Sequence, residues 1–336
     1  VGSETKKAFW EEKNVGFGAV RPEHDFLHPE TRALEPGPEL TETQYLGFNI
    51  PEHDIHGMCY LWHHPNLGVV SGGAWAWQGV KRHNLACEIF DMVSYVDDAV
   101  LSGDLHSFEL PNGYGATVEQ PLKRLRVHYA DKERDNALDI GYEALMEPMV
   151  LSTELHFEQA MRTSGTVTFG GREYEVDGVT VRDRSWGQLR REVHAPVPPM
   201  AWMTGVFGDD LAFGTTAFDS PDTDPDWKGV LEIPGGDPTK GGWVLRDGEL
   251  TPVVAAVKRT IRNADTLFPE GIEMTITDAG GRDYELTGRV RAAANWRGWH
   301  NMDSVICLTE WTCDGRTGYG DTQDVLFHDY VRRFGS

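Results

Sequence analysis

The stretch "GTVTFGGREYEVDGVTV", residues 165–181, places the tightest constraint on the fold. Apolar and polar residues alternate on both sides of a Gly-Gly pair. That is the pattern of two antiparallel strands joined by a two-residue turn with positive φ. The signature recurs in "MCYLWHHPNLGVVSGGAWAW" around "HPNLG", in "WVLRDGELTPV" around Asp-Gly, and in "SVICLTEWTCDGRTGYGDTQDVLF" around "CDGR". Helical periodicity is scarce. Short helices are expected only near Trp10 to Asn14 and near Val253 to Ile261. The chain therefore reads as all-β, mainly antiparallel, built from barrels or sandwiches.

A break falls at "REVHAPVPPM", because adjacent prolines cannot sit in a central strand. It divides the chain into an N-terminal β domain, residues 1–195, and a C-terminal β domain, residues 196–336. The Pro-rich "DSPDTDPDWKG" reads as an excursion loop inside the second half.

A formal net charge of −22 over 336 residues argues against nucleic acid or an anionic membrane as partner. No apolar run reaches the roughly 18 residues of a membrane span. No charged-then-apolar leader opens the sequence. The four cysteines form no CxxC pattern and read as reduced thiols of a cytoplasmic protein. A homodimer is compatible with this composition.

Asp183 raises the central question. It shares strand parity with Val179 and Val181, so it points inward with them. A buried carboxylate must be paired, hydrogen-bonded or protonated. It is either an acid tuned by burial or the partner of a nearby arginine. Glu310 lies in "SVICLTEWTC", which is apolar at both parities, so burial is expected whichever way it points; a cross-sheet ion pair is the alternative.

Met58, Tyr60, Trp62 and His64 share one parity, and Trp75 and Trp77 share another face. Together they predict an aromatic wall, either cavity lining or plain core. In "LHFEQAM", alternation turns Gln159 inward. His156 and Glu158 take the opposite face, which is solvated unless the second half of the chain covers it. The run His53, His56, His63 and His64 invites a metal-dependent lyase. Its spacing is irregular, and adjacent strand residues point to opposite faces, so no catalytic metal and no cofactor is expected. GxGxxG, Walker, GxSxG and HExxH motifs are absent.

The segment "LHFEQAMRTSGTVTFGGREYEVDGVTVRDRSWG", with the late "DGRTGYGDTQ", resembles the AttH-like and carotenoid 1,2-hydratase-like superfamily. That superfamily usually carries Glu where Gln323 or Asp324 stands here. The resemblance implies two lipocalin-like barrel or sandwich domains with Asp183 near their junction. It also implies a cofactor-independent hydratase, isomerase or cyclase of hydrophobic terpenoid, steroid-like, polyene or aromatic molecules. It assigns Asp183 as proton donor to an alkene, and it extends to Trp186 and His156. Trp186 with Trp62, Trp75 or Trp77 would face the developing cation. His156, Gln159 or Glu310 would hold water or take a proton. The rival is a carrier of a lipid or isoprenoid without turnover. The two readings part on whether two titratable groups converge on one cavity.

Overall fold

The computed structural model describes Lys13 and residues 16–34, 37–190, 195–223 and 227–335. The first half carries strands β1 (Leu40–Ile50), β2 (Ile55–His64), β3 (Val69–Gln78), β4 (Val80–Lys81), β5 (Ile89–Asp97) and β6 (Ser107–Glu109). It continues with β7 (Gly115–Gln120), β8 (Arg124–Asp131), β9 (Asn136–Ala144), β10 (Met149–Val150), β11 (His156–Phe169) and β12 (Arg172–Leu189). The second half carries β13 (Met200–Val206), β14 (Leu211–Phe218), β15 (Thr239–Arg246) and β16 (Glu249–Arg262). Then follow β17 (Pro269–Asp278), β18 (Asp283–Trp296), β19 (Met302–Cys313), β20 (Arg316–Phe327) and a short closing helix, α2 (His328–Phe334), the counterpart of α1 (Thr31–Leu34).

The strands form two sheets. The first is open, with order β5-β3-β2-β1-β12-β11-β9-β8-β7-β6 and β10 added beside β11. The second runs from β17 back to β13, then through β20 to β18, and β17 pairs with β18 to close an eight-stranded barrel. β4 leaves the first half and pairs in parallel with β18. Strands stop at Leu189 and resume at Met200; residues 191–194 of the proline break lie outside the described residues. Among the described residues no helix is long and apolar enough to cross a membrane.

Turn chemistry sets the hairpins. Gly170 and Gly171 take φ of 59° and 72°, Asp247 and Gly248 take 52° and 83°, and Asp314 and Gly315 take 51° and 73°. Paired positive φ values give the turn whose twist matches the flanking strands. The expected helix at 253–261 is instead part of β16. There Val253, Lys258 and Thr260 are buried while Val257, Arg259 and Ile261 face outward. Its β-branched residues pack on a pleated barrel wall, and that packing overrides the local helical reading. Of the other expected helix, 10–14, only Lys13 is described, and it belongs to no element.

β1 has no exposed residue. Leu46, Phe48 and Ile50 enter the core of the first sheet. Tyr45 and Gly47 face the barrel, where a Cβ at Gly47 would meet Asp321 Oδ2 at 2.8 Å. β12 divides its faces in the same way. Val181 packs with Val206, Ala212, Trp243 and Leu245 of the barrel, so Asp183, two residues on, points into the junction. Arg182 and Arg184 turn to the opposite side. There Arg182 donates to Asp25 Oδ1 at 2.7 Å and to Gln159 Oε1 at 2.8 Å. Arg184 donates to the Phe26 carbonyl at 2.8 Å and lies 3.6 Å from Glu42.

Candidate active site

Between β11–β12 and the outer wall of the barrel lies a cavity of about 300 Å³. His156, Glu158, Asp183 and Ser185 line it from the first sheet. Tyr60, Trp202, Trp296 and Trp299 give it aromatic walls, and Lys240, Gln323 and Thr216 face it from the barrel.

Register builds the polar wall. Glu158 pairs with Asp183, and His156 with Ser185, across β11–β12. Asp183 then stands opposite Tyr45, and Tyr45 opposite Tyr60. His156 Nδ1 lies 2.8 Å from Ser185 Oγ, and its Nε2 lies 3.5 Å from Glu158 Oε1. Trp243 of the barrel donates through Nε1 to Glu158 Oε2 at 2.6 Å. The barrel comes this close because position 214 is glycine; a Cβ there would sit 2.3 Å from Glu158 Oε2.

Burial pushes the Asp183 carboxyl up to about 6; the Glu158 charge adds to the rise, and His156, Arg190 and Arg184 oppose it. For His156, burial works against the imidazolium, but the Glu158 hydrogen bond and the Asp183 charge outweigh it, so its pKa rises. Burial pushes the Tyr60 phenol up to about 12, which keeps it a neutral donor. The result is a protonatable carboxyl, an imidazole and a hydroxyl around one apolar-walled space. Such a group can give a proton, take one and hold a water molecule.

A second buried acid lies behind this wall. Tyr45 Oη donates to Asp321 Oδ2 at 2.8 Å. His56 Nε2 is 3.2 Å from Asp321 Oδ1 but is not aligned as a hydrogen bond. Burial moves Asp321 up to about 7 and His56 down to about 3.

Of the residues expected to form the site, the cavity brings together Asp183, His156 and Tyr60. Glu310 is elsewhere: it sits on the barrel wall, bound by Arg289 at 2.9 Å and by Arg291 at 2.5 Å. Nor is it deeply buried, its side chain being 22 % exposed, because β19 is covered on both faces only over its middle. Gln159 faces the other side of β11, where its amide donates to the Leu122 and Met146 carbonyls at 2.8 Å each. Trp186 shares that other face; it stacks on His28 with ring centroids 4.2 Å apart. Trp75 and Trp77 are fully buried in the seam between the sheets, packed with Ala292, Ala294, Ile306 and Leu308 of the barrel. Trp62 lies behind the cavity wall, against Trp299 at 5.3 Å and His64 at 4.8 Å.

The histidine run does not converge. His56 turns to Asp321, His63 to Asp98 at 3.1 Å, His64 to Trp62, and His53 to the Tyr174 ring. Among the described residues no three His, Cys, Asp or Glu side chains gather as a metal site.

Sequence reasoning missed Ser185, Lys240 and the tryptophans 202, 296 and 299, and it placed Glu158 on the His156 face without assigning it a role. The available signal was "NWRGWH", with two tryptophans in a polar stretch.

These features define a mostly antiparallel, two-sheet β protein in which an open sheet docks on a closed eight-stranded barrel. Within that class, the chain belongs to the family described as Domain of unknown function (DUF7064), which it matches over residues 21–323. No curated protein matches it. Among solved structures it is similar to kievitone hydratase from Nectria haematococca, with a TM-score of 0.52 and 12% identity, covering 96% of this chain and 99% of that one. It is also similar to a Nitrosomonas europaea protein assigned as an AttH, with a TM-score of 0.52 and 15% identity over 87% of this chain and 93% of that one. CghA gives a TM-score of 0.54 and 13% identity over 87% and 89%. At such identities the likeness is one of fold.

Proposed function

We propose that this protein is a cofactor-independent acid–base enzyme that hydrates, dehydrates, isomerises or cyclises a hydrophobic small molecule in the junction cavity. The observation that carries the reading is that Asp183, a half-buried carboxyl raised to about 6, and His156, a buried imidazole whose pKa is also raised, face the same aromatic-walled space. Every group that proton transfer requires is then a side chain of this chain.

In the hydration direction, the Asp183 carboxyl gives its proton to an alkene carbon. The π electrons form the new C–H bond and leave a carbocation. Faces of Trp202, Trp296 or Trp299 stabilise that cation through the ring quadrupole. Water held at Ser185 Oγ adds through oxygen, and its proton passes back to the Asp183 carboxylate. Dehydration is the reverse. Isomerisation and cyclisation use the same acid and lose a carbon-bound proton to the same acceptor. The relative named as a hydratase supports a lyase reading by fold alone.

The test is extraction of the purified protein for a co-purifying hydrophobic ligand, followed by incubation of that ligand with enzyme in D₂O. Carbon-bound deuterium formed by the wild type and absent with Asp183→Asn supports the assignment. A ligand that binds and returns chemically unchanged, with no deuterium, contradicts it and identifies a carrier.

A further inference from the structure

The cavity is charged asymmetrically. Asp183 and Glu158 face it from the first sheet, and Lys240 faces it from β15 on the barrel. Lys240 is buried at 6% exposure. Its Nζ donates to the Pro234 carbonyl at 3.1 Å and lies 5.2 Å from the centroid of the Phe218 ring. An ammonium carries three donors, and among the described residues no carboxylate lies within ion-pair distance of this one. The carboxylate that acts on it from further away, Asp237, is bound by Lys13 at 2.5 Å and by the Thr239 amide at 2.9 Å. Burial accordingly lowers the Lys240 pKa.

The backbone is arranged to place this side chain. In the β14–β15 ladder Thr216 pairs with Gly241 and Ala217 with Thr239, so Lys240 is the extra residue of a bulge. A bulge re-aims the side chain it carries. Thr215 Oγ locks the bulge by donating to the Gly241 carbonyl at 2.9 Å. The cost of burying a cation without a counter-ion is offset when a ligand supplies the acceptor.

We propose that Lys240 binds an anionic oxygen of the ligand, a carboxylate, phenolate or enolate, and so sets the ligand's orientation in the cavity. This rests on the reading of the cavity as the substrate site. The substrate class narrows to an apolar skeleton with an acidic oxygen at one end and the reacting carbon at the other. Asp183 and Glu158 exclude that oxygen from their own end, which makes the orientation unique.

Two fluorescent probes test this. 8-Anilinonaphthalene-1-sulfonate and N-phenyl-1-naphthylamine share their aromatic rings, and only the first carries an anion. The wild type should bind the sulfonate at least about tenfold more tightly than the neutral amine. Lys240→Met should remove that advantage while the neutral probe binds within about twofold of wild type, which also reports that the cavity is intact. Lys240→Gln is the second variant should the first not fold, and the wild-type ratio stands without either. Equal wild-type affinities for the two probes, or a sulfonate preference that survives in Lys240→Met, overturn the role of Lys240 and leave the cavity reading standing. Failure of both probes to bind overturns both.

Discussion

Glu158 and Asp183 stand directly opposite one another in the β11–β12 ladder, two carboxylates on the face turned to the barrel. Like charges so placed repel; Glu158 is buried and Asp183 half-buried at the cavity. Their surroundings differ. Glu158 accepts from the Trp243 indole and lies beside His156. Asp183 has no such donor among the described residues, and burial raises its pKa to about 6. Neighbouring carboxyls in unlike surroundings can take different roles in proton transfer.

The raised Asp183 pKa has a thermodynamic sign. Between the ordinary value of 3.8 and about 6, the folded state holds a proton that the unfolded chain has released. Folding stability contributed at this site is therefore fully present below about pH 4 and declines as pH rises through 6. His56, pushed down from 6.5 to about 3, contributes in the opposite sense across the whole of that window. The quantity to measure is thus the difference between wild type and Asp183→Asn in denaturant unfolding at pH 4, 5, 6 and 7. Wild type should lose ground to the variant from pH 4 to 6 and change little between 6 and 7. A difference independent of pH would mean that Asp183 is ionised throughout.

Gly214→Ala tests the docking of the barrel on the acid wall. The added Cβ would meet Glu158 Oε2 at 2.3 Å and Trp243 Nε1 at 2.5 Å. The Glu158–Trp243 bond must then open, at a cost of about 1–3 kcal/mol typical of overpacking. Activity should fall more steeply than stability, because His156 loses the carboxylate that orients it. Wild-type turnover in this variant would show that the Glu158–His156 contact is dispensable.

Hairpin positions were legible in the sequence because turn chemistry is local: Gly170-Gly171, Asp247-Gly248 and Asp314-Gly315 are where the strands reverse. The inward aim of Asp183 was legible from parity with Val181. Parity identifies a face but not what stands opposite it. Trp75 and Trp77 therefore read as cavity wall or plain core, and they seal the seam between sheets. His156 and Glu158 read as solvated unless the second half of the chain covers them, and it does. The Lys240 bulge depends on the register of β14 against β15, which no local pattern specifies. The sequence at 253–261 admits a helix, and only closure of the barrel decides for a strand.

Asp25→Ala should destabilise the protein by about 3–5 kcal/mol, the usual cost of leaving one partner of a buried ion pair alone. Asp25 and Arg182 are each 1% exposed. Asp25 also accepts from the Leu122 amide and so ties the N-terminal segment to the β7–β8 turn as well as to β12. Chemical denaturation measures the effect, and a loss under about 1 kcal/mol would mean that Gln159 alone satisfies Arg182.

Glu310→Gln should leave turnover within about twofold of wild type and stability within about 1 kcal/mol, since its partners are largely solvent-screened. Arg289 is 65% exposed, and the Arg291 and Glu310 side chains are 21% and 22% exposed. A large loss of activity on this substitution would place part of the chemistry outside the junction cavity.

The most direct measurement is a carboxyl ¹³C NMR titration of aspartate-labelled protein, with the Asp183 resonance assigned by its absence in Asp183→Asn. An acid serving the junction cavity should titrate with a midpoint near 6, and the midpoint should rise further when a hydrophobic ligand displaces water from beside it. A midpoint at or below the ordinary 3.8, unmoved by ligand, would identify Asp183 as a structural carboxylate and contradict the account.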